Sequence, residues 1–284
     1  MKVRARYLFV WLQLAWLLGG CASTSQVSLT EVRAFADASA SLGGYAELSR
    51  RYRDTYQREQ PYLSASADKL ARATDARRNA AYNDFVAVQK TVVLYMQTLS
   101  ALAGDARYDL APRLDELDIS LKAGTEFGLT QRHITAYTGL TRLLTRTVTS
   151  SYQNRNVETM VREGDADVQV LLDAMIVLTR LYAKTNDNEK KTVLGLFDGE
   201  LAAAPRGTDR MLLVLARVHL QNRTAEYRLL DKRYDLAAQG LAKVAQGHQK
   251  LRENLHQLTR ADIRLALGNY AHDLRLIHAG LRGE

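Results

Sequence analysis

Six apolar residues close to the C-terminus, Ile263, Leu267, Tyr270, Leu274, Ile277 and Leu281, alternate steps of four and three. On a helix this spacing draws a single apolar row, the seam of a coiled coil, and such a row needs other helices to cover it. Leu251, Leu255 and Leu258 lead into the row, and the five-residue step to Ile263 reads as a local irregularity in one long helix. Within one chain the obvious covering surfaces are the long helices expected to begin near Tyr62 and near Asn156, since short connections make neighbouring helices antiparallel. No repeat of roughly 20 to 50 residues with recurring anchors argues for a solenoid. The expected fold class is therefore all-α: an elongated bundle of long antiparallel helices with coiled-coil-like packing.

The rest of the chain agrees with that class. Three prolines in 284 residues and no sustained alternation of apolar and polar positions leave helix as the dominant state. Ser28-Leu-Thr-Glu31 has the pattern of a capping box opening a helix, Gly43-Gly44 predicts a break, and Pro61 interrupts near Gln60. From Tyr62 to Ala103 the apolar residues Tyr82, Phe85, Val92, Met96 and Leu99 recur at helical steps, and a further helical piece is expected from Pro112 to Lys122. Gly124 and Gly128 mark a joint before a helix from Thr130 to about Tyr152, and Asn154-Arg-Asn156 reads as the next break. Val168 to Tyr182 is apolar but short for a membrane span and carries Asp173 and Arg180, so it is read as a buried helix. Asn186 to Lys191 reads as a polar bend or an exposed turn, and Pro205-Arg-Gly207 as a stop. A long helix should then open at Thr208 or Asp209, with Gly240 and Gly247 as its weak points.

The N-terminus carries an address. Lys2, Arg4 and Arg6 precede an apolar run from Tyr7 to Leu18, and the small pair Gly19-Gly20 precedes Cys21, the layout of a secretory signal. Leu18-Gly19-Gly20-Cys21 resembles the lipobox of bacterial lipoproteins. That resemblance implies cleavage before Cys21, acylation of its thiol and amine, and no free thiol in the mature chain, since Cys21 is the only cysteine. Ala22, standing where an aspartate signals retention at the inner membrane, implies the outer membrane, with the domain facing the periplasm. Residues 1–20 are thus read as signal peptide, 21–27 as a lipidated tether and 28–284 as one helical domain. The tether is short, about 20 Å for six extended residues. The first twenty residues hold three positive charges and no negative one, so the formal +8 falls to +5 after cleavage, an excess too mild for a nucleic-acid partner.

Chemistry is sparse by comparison. Glu253-Asn-Leu-His256 has the Glu-x-x-His spacing of carboxylate-bridged bundle sites, yet none of His133, His219, His248, His272 and His278 has a glutamate three residues before it to supply a second copy. Asp115-Glu116 with Asp118, and Glu163 with Asp165 and Asp167, are acidic clusters without the glycine turn of a calcium loop, and read as solvated helix ends. No phosphate loop, serine elbow or cysteine nucleophile is present. Catalytic residues, cofactor and resident metal are accordingly expected to be none. Basic residues stand out instead: Arg206, Arg210, Arg217, Arg223, Arg228, Lys232 and Arg233 recur along one region, and Arg142 and Arg146 share a helix face. Arg210, Arg217, Arg228, Lys232 and Arg233 are the candidate contacts to an anion, whether a headgroup, a phosphate or an acidic protein. Tyr45, Tyr52 and Tyr56 are spaced to serve core and rim together. The expected function is binding or scaffolding in the cell envelope, as an accessory of the envelope or of a secretion apparatus, with an immunity-type protein that blocks a toxin as the second reading. A metal-binding or enzymatic bundle is the contrasting class. Whether the chain self-associates is left open.

Overall fold

The computed structural model describes residues 29–41, 43–104, 121–122, 124–149, 157–205 and 207–283. Eight α-helices account for nearly all of them: α1 (Thr30–Ala40), α2 (Gly43–Arg53), α3 (Thr55–Glu59), α4 (Ala65–Leu102), α5 (Gln131–Thr149), α6 (Val157–Ala203), α7 (Arg210–Glu253) and α8 (Ala261–Arg282). The chain is an all-α bundle. The signal peptide, Cys21, Ser28, the helix expected from Pro112, the cluster Asp115-Glu116-Asp118, the break at Asn154-Arg-Asn156 and Arg206 lie outside the described residues.

α6 is the axis. At about 1.5 Å per residue its 47 residues span roughly 70 Å, and α2, α3, α4, α5 and α7 all pack on it. α4, α5 and α7 run antiparallel to it: the Tyr95 hydroxyl of α4 donates to Met160 O, Arg146 of α5 meets Glu163, and His248 and Tyr227 of α7 meet Asp165 and Glu189. One hydrophobic cluster runs from Val32 to Leu281, with Leu171, Leu172, Met175 and Leu178 of α6 fully buried at its centre while Asp173 and Arg180 face solvent. Aromatic rings fill the middle: Tyr52 stacks on Tyr182 at 4.6 Å between centroids, and Phe85 meets Phe127 edge-on at 5.3 Å. Tyr45 and Tyr52 are core, whereas Tyr56 sits at the rim and donates to Asp68 at 2.8 Å.

Local signals explain most boundaries. Ser64 caps α4 by accepting from Ala67 N, and Asp209 caps α7 by accepting from Met211 N at 2.7 Å. Pro61 sits in a single 3-10 turn, Gln60–Tyr62, so α4 begins three residues later than expected. The break between α1 and α2 falls just before the expected Gly43-Gly44, since α1 ends at Ala40 and the pair opens α2, and the Gly44 backbone lies against Leu281. Gly128 has φ 80°, a left-handed turn closing the Thr125–Phe127 3-10 turn before α5. Glu31, the second half of the expected capping box, accepts from Arg264 of α8 at 2.7 Å, and Ser28, the first half, lies outside the described residues.

Three expectations are corrected. The five-residue step after Leu258 is a reversal and not an irregularity: α7 stops at Glu253, Leu255–Gln257 forms a 3-10 turn, and α8 folds back along α7, with Lys243 bonded to Asp273. Asn254, whose side chain donates to Lys250 O, makes this turn without a glycine or proline. The C-terminal row is consequently buried inside the chain by α1 and α7, and not by α4 and α6. Phe35 of α1 meets Tyr270 edge-on at 6.4 Å, and Ile263, Leu267, Leu274 and Leu281 are buried. Finally, Gly240 and Gly247 do not weaken α7, which runs unbroken through both. They are close-approach sites, where a Cβ at Gly247 overlaps the Phe35 ring and one at Gly240 crowds Ile277.

Gly247→Ala is therefore expected to destabilise the fold by about 1–3 kcal/mol, the cost of overpacking a well-filled core, although alanine is the better helix former. Chemical denaturation checks this, and a variant as stable as the parent refutes the packing account.

Candidate functional site: the α7 face and the arginine cleft beside it

The molecule has two unlike ends. At one end lie the start of α1 and α8 and the close of α7, tied by Arg264 to Glu31. At the other, α6 and α7 continue as a hairpin beyond the rest of the bundle: no residue of Asp198–Ala203 or Arg210–Val218 is buried. Tyr62 marks the last cross-contact, with its ring 5.8 Å from Phe197 and its hydroxyl 3.1 Å from His219 Nε2. His248 and Gly247 place Phe35 level with Asp165, so the 38 residues from Asp165 to Ala203 put the hairpin tip about 55 Å from the α1 end.

The exposed side of α7 over Arg210–Lys232 has a distinct chemistry. Its exposed residues are Arg210, Met211, Leu212, Val214, Leu215, Arg217, Val218, Gln221, Asn222, Ala225, Arg228, Leu229 and Lys232, and none is acidic. At 3.6 residues per turn, Met211, Val214, Leu215 and Val218 form one stripe, which Gln221, Asn222 and Ala225 continue on the same face to Leu229, and Arg210, Arg217, Arg228 and Lys232 fall within about 60° of one another along its edge. Met211 is 65% exposed, Leu215 59% and Leu229 51%. None of the four cations makes an ion pair among the described residues, whereas the fifth candidate, Arg233, turns inward and clasps Glu47 with both terminal nitrogens at 3.0 and 2.5 Å. The structure thus brings four of the five candidate residues onto one face and removes the fifth from it.

Beside the stripe a cleft of about 320 Å³ opens between α2, α3 and α7, lined by Arg50, Arg51, Arg58, Arg233, Glu47, Asp54, Glu226, Leu229 and Leu230. Two of the lining arginines reach through to Glu189, fully buried on α6. Arg58 Nε and Nη2 donate to it at 3.1 and 2.7 Å, Arg51 Nη2 at 3.2 Å, and the Tyr227 hydroxyl at 3.1 Å. Four donors saturate the carboxylate, so it is no general base, and burial pushes the Tyr227 phenol up so that it stays protonated. Arg51 continues to Glu226 at 3.2 Å, and Arg223 meets the same carboxylate at 2.8 Å. Sequence reasoning placed Asn186–Lys191 as a bend or exposed turn of the same helix; the helix indeed continues, but Asn186 and Glu189 point inward. Their three-residue spacing on α6, in phase with Tyr182 and Val193, is the signal that locates them.

The remaining chemical candidates are structural. Glu163, Asp165 and Asp167 lie inside α6 and not at its end, and Glu163 and Asp165 have partners on other helices: Arg146 at 3.3 Å and His248 at 3.0 Å. His248 also meets Tyr95 at 2.9 Å, so both ring nitrogens are occupied. Glu253 and His256 do not share a helix; Glu253 accepts from Gln249 and His256 is an exposed turn residue near Glu158. Among the described residues no three His, Cys, Asp or Glu side chains gather as metal ligands. Comparison with known families, curated proteins and solved structures gives no match.

Replacing Glu189 by alanine should cost about 3–5 kcal/mol, because it leaves Arg58 in a mostly buried site without its counter-charge, Arg51 with Glu226 alone and the Tyr227 hydroxyl without its acceptor; thermal melting reads this directly, and a loss below about 1 kcal/mol refutes it. A second expectation concerns acid. Glu31, Glu47, Asp68 and Asp165 are held below the ordinary carboxylate range by hydrogen bonds from Arg264, Arg233, Tyr56 and His248. Each contributes stability above its unfolded value, 3.8 for Asp and 4.5 for Glu, and loses it as pH falls through the lower folded value. Melting temperature should hold down to about pH 5 and fall steeply below about pH 4. Amide substitutions at the four positions should lower it at neutral pH and flatten that fall.

Proposed function

We propose that this chain is a lipid-anchored binding or scaffolding protein of the bacterial envelope, tethered through Cys21 and presenting the exposed face of α7 to a partner. The observation that supports it best is the coincidence of an uncovered apolar stripe with a row of cations that have no ion pair among the described residues, on a hairpin whose end has no fully buried residue among them. Monomeric soluble domains rarely leave a contiguous apolar stripe uncovered without a binding use. The lipobox resemblance supports anchorage, and its position gives the hairpin a direction. Eight residues separate Cys21 from Leu29, which extends to at most about 27 Å. The hairpin tip, about 55 Å from that end, stands well away from the anchor. Recognition in place of catalysis fits a molecule whose buried Glu189, His133 and His248 are taken up by hydrogen bonds to other parts of the bundle. Outer-membrane location and a periplasmic domain follow from the same reading of Cys21 and Ala22.

Two measurements test it. Metabolic labelling with a fatty acid should mark the parent but not Cys21→Ser, which should also accumulate as uncleaved precursor; equal labelling of both defeats the anchored reading. A photocrosslinking side chain at Leu215 should give a discrete adduct in intact cells, while one at Leu276, equally exposed on α8, should not. No adduct at Leu215 defeats the binding reading.

A further inference from the structure

We infer that the partner seated on α7 is an acidic amphipathic helix of another protein, lying along the stripe from Met211 to Leu229 with its carboxylates toward Arg210, Arg217, Arg228 and Lys232. This rests on the reading of the α7 face as a binding surface and names what fits it. The stripe repeats at i, i+3, i+4 and i+7 through Met211, Val214, Leu215 and Val218, which is the spacing by which one helix receives another. Its length, 19 residues spanning about 27 Å, matches five turns of a partner. Charge chooses the partner's composition: the outer edge of the stripe is cationic with no carboxylate, and those cations have no ion pair among the described residues. An acidic flank gains attraction there that a neutral helix does not, and a basic flank is repelled.

The inner edge separates a helix from the other anionic surface, a bilayer. There Glu226, Glu47 and Asp54 are already paired with Arg51, Arg233 and Arg53, so the positive charge without an ion pair among the described residues lies mainly along the outer edge, on one side of the stripe. A helix matches that one-sided charge by carrying its acids on one flank, whereas a bilayer presents its anions across the whole width of α7. The stripe itself is aliphatic, without the Trp or Phe that interfacial membrane helices favour. A second copy of this chain fits no better: antiparallel two-fold pairing through the stripe sets the arginine row against its own duplicate, like charge against like. At the far end, Leu229 passes into the cleft, where Arg50 has no ion pair among the described residues and can take a terminal acid of the partner.

The test uses the chain from residue 22 onward, which contains the whole hydrophobic cluster. The probes are two synthetic helices of about 20 residues, with leucines at the complementary spacing and one flank of either glutamates or lysines. By fluorescence anisotropy the glutamate helix should bind and the lysine helix should not, with affinity falling about tenfold as salt rises from about 50 to about 300 mM. Arg217→Glu combined with Arg228→Glu should reverse the preference, and Leu215→Asp should abolish binding of both, each with an unchanged melting temperature. Reversal is the decisive readout, because a variant that merely unfolds loses one ligand without gaining the other. The inference is overturned if neither helix binds, if both bind equally, if phosphatidylglycerol vesicles sediment the parent better than the glutamate helix competes, or if Leu215→Asp dissociates a dimer. Failure here leaves the fatty-acid labelling at Cys21 and the crosslink at Leu215 to stand or fall separately.

Discussion

A helix of 47 residues cannot hold itself in water, and the need to cover α6 along its length organises the molecule. Over its first three-quarters the covering is dense: α4, α5 and α7 run antiparallel beside it, α2 parallel, and most apolar positions from Val157 to Val193 are buried. Beyond Phe197, where Tyr62 makes the last cross-contact, only α7 accompanies it among the described residues. One helix therefore explains both the dense core, where side chains interlock as in a crystal, and the thinly covered hairpin, where function has room.

The change from one regime to the other happens at Glu189. A fully buried carboxylate is costly unless paired, and here two arginines from α2 and α3 and a tyrosine from α7 supply the pairing. The three donors arrive from three separate elements, so the charge fixes how α2, α3 and α7 sit on α6. Hydrophobic packing below it is tolerant of small slips; a carboxylate with four directed donors is not. The cleft above Glu189 is the space left where those elements diverge.

Much of the fold was legible from residues alone because periodicity and caps act locally. Asp209 announced α7, Gly43-Gly44 announced a break, and the four-three row from Ile263 announced a covered helix. What was hidden depends on partners far away in sequence. Nothing near Gly247 reveals that Phe35, over two hundred residues earlier, requires its missing Cβ. The reversal at Asn254 was masked because no glycine or proline marks it, and the covering of α8 by α1 could not be read from helix lengths. At the candidate site the basic row was visible, but the sequence does not say whether its apolar companions Met211, Val214, Leu215 and Val218 face the bundle or water. Only burial distinguishes a stripe that faces α6 from one that faces water. Arg233 shows the reverse error, a cation counted as available that Glu47 already holds.

The projecting hairpin has one further property. Because its last turns bury nothing, its length is decoupled from the stability of the bundle. Adding or removing a whole heptad in both arms keeps the same faces in register while moving the tip by about 10 Å. The arms therefore act as an adjustable spacer: the distance between anchor and contact face can drift over generations without the core having to be rebuilt.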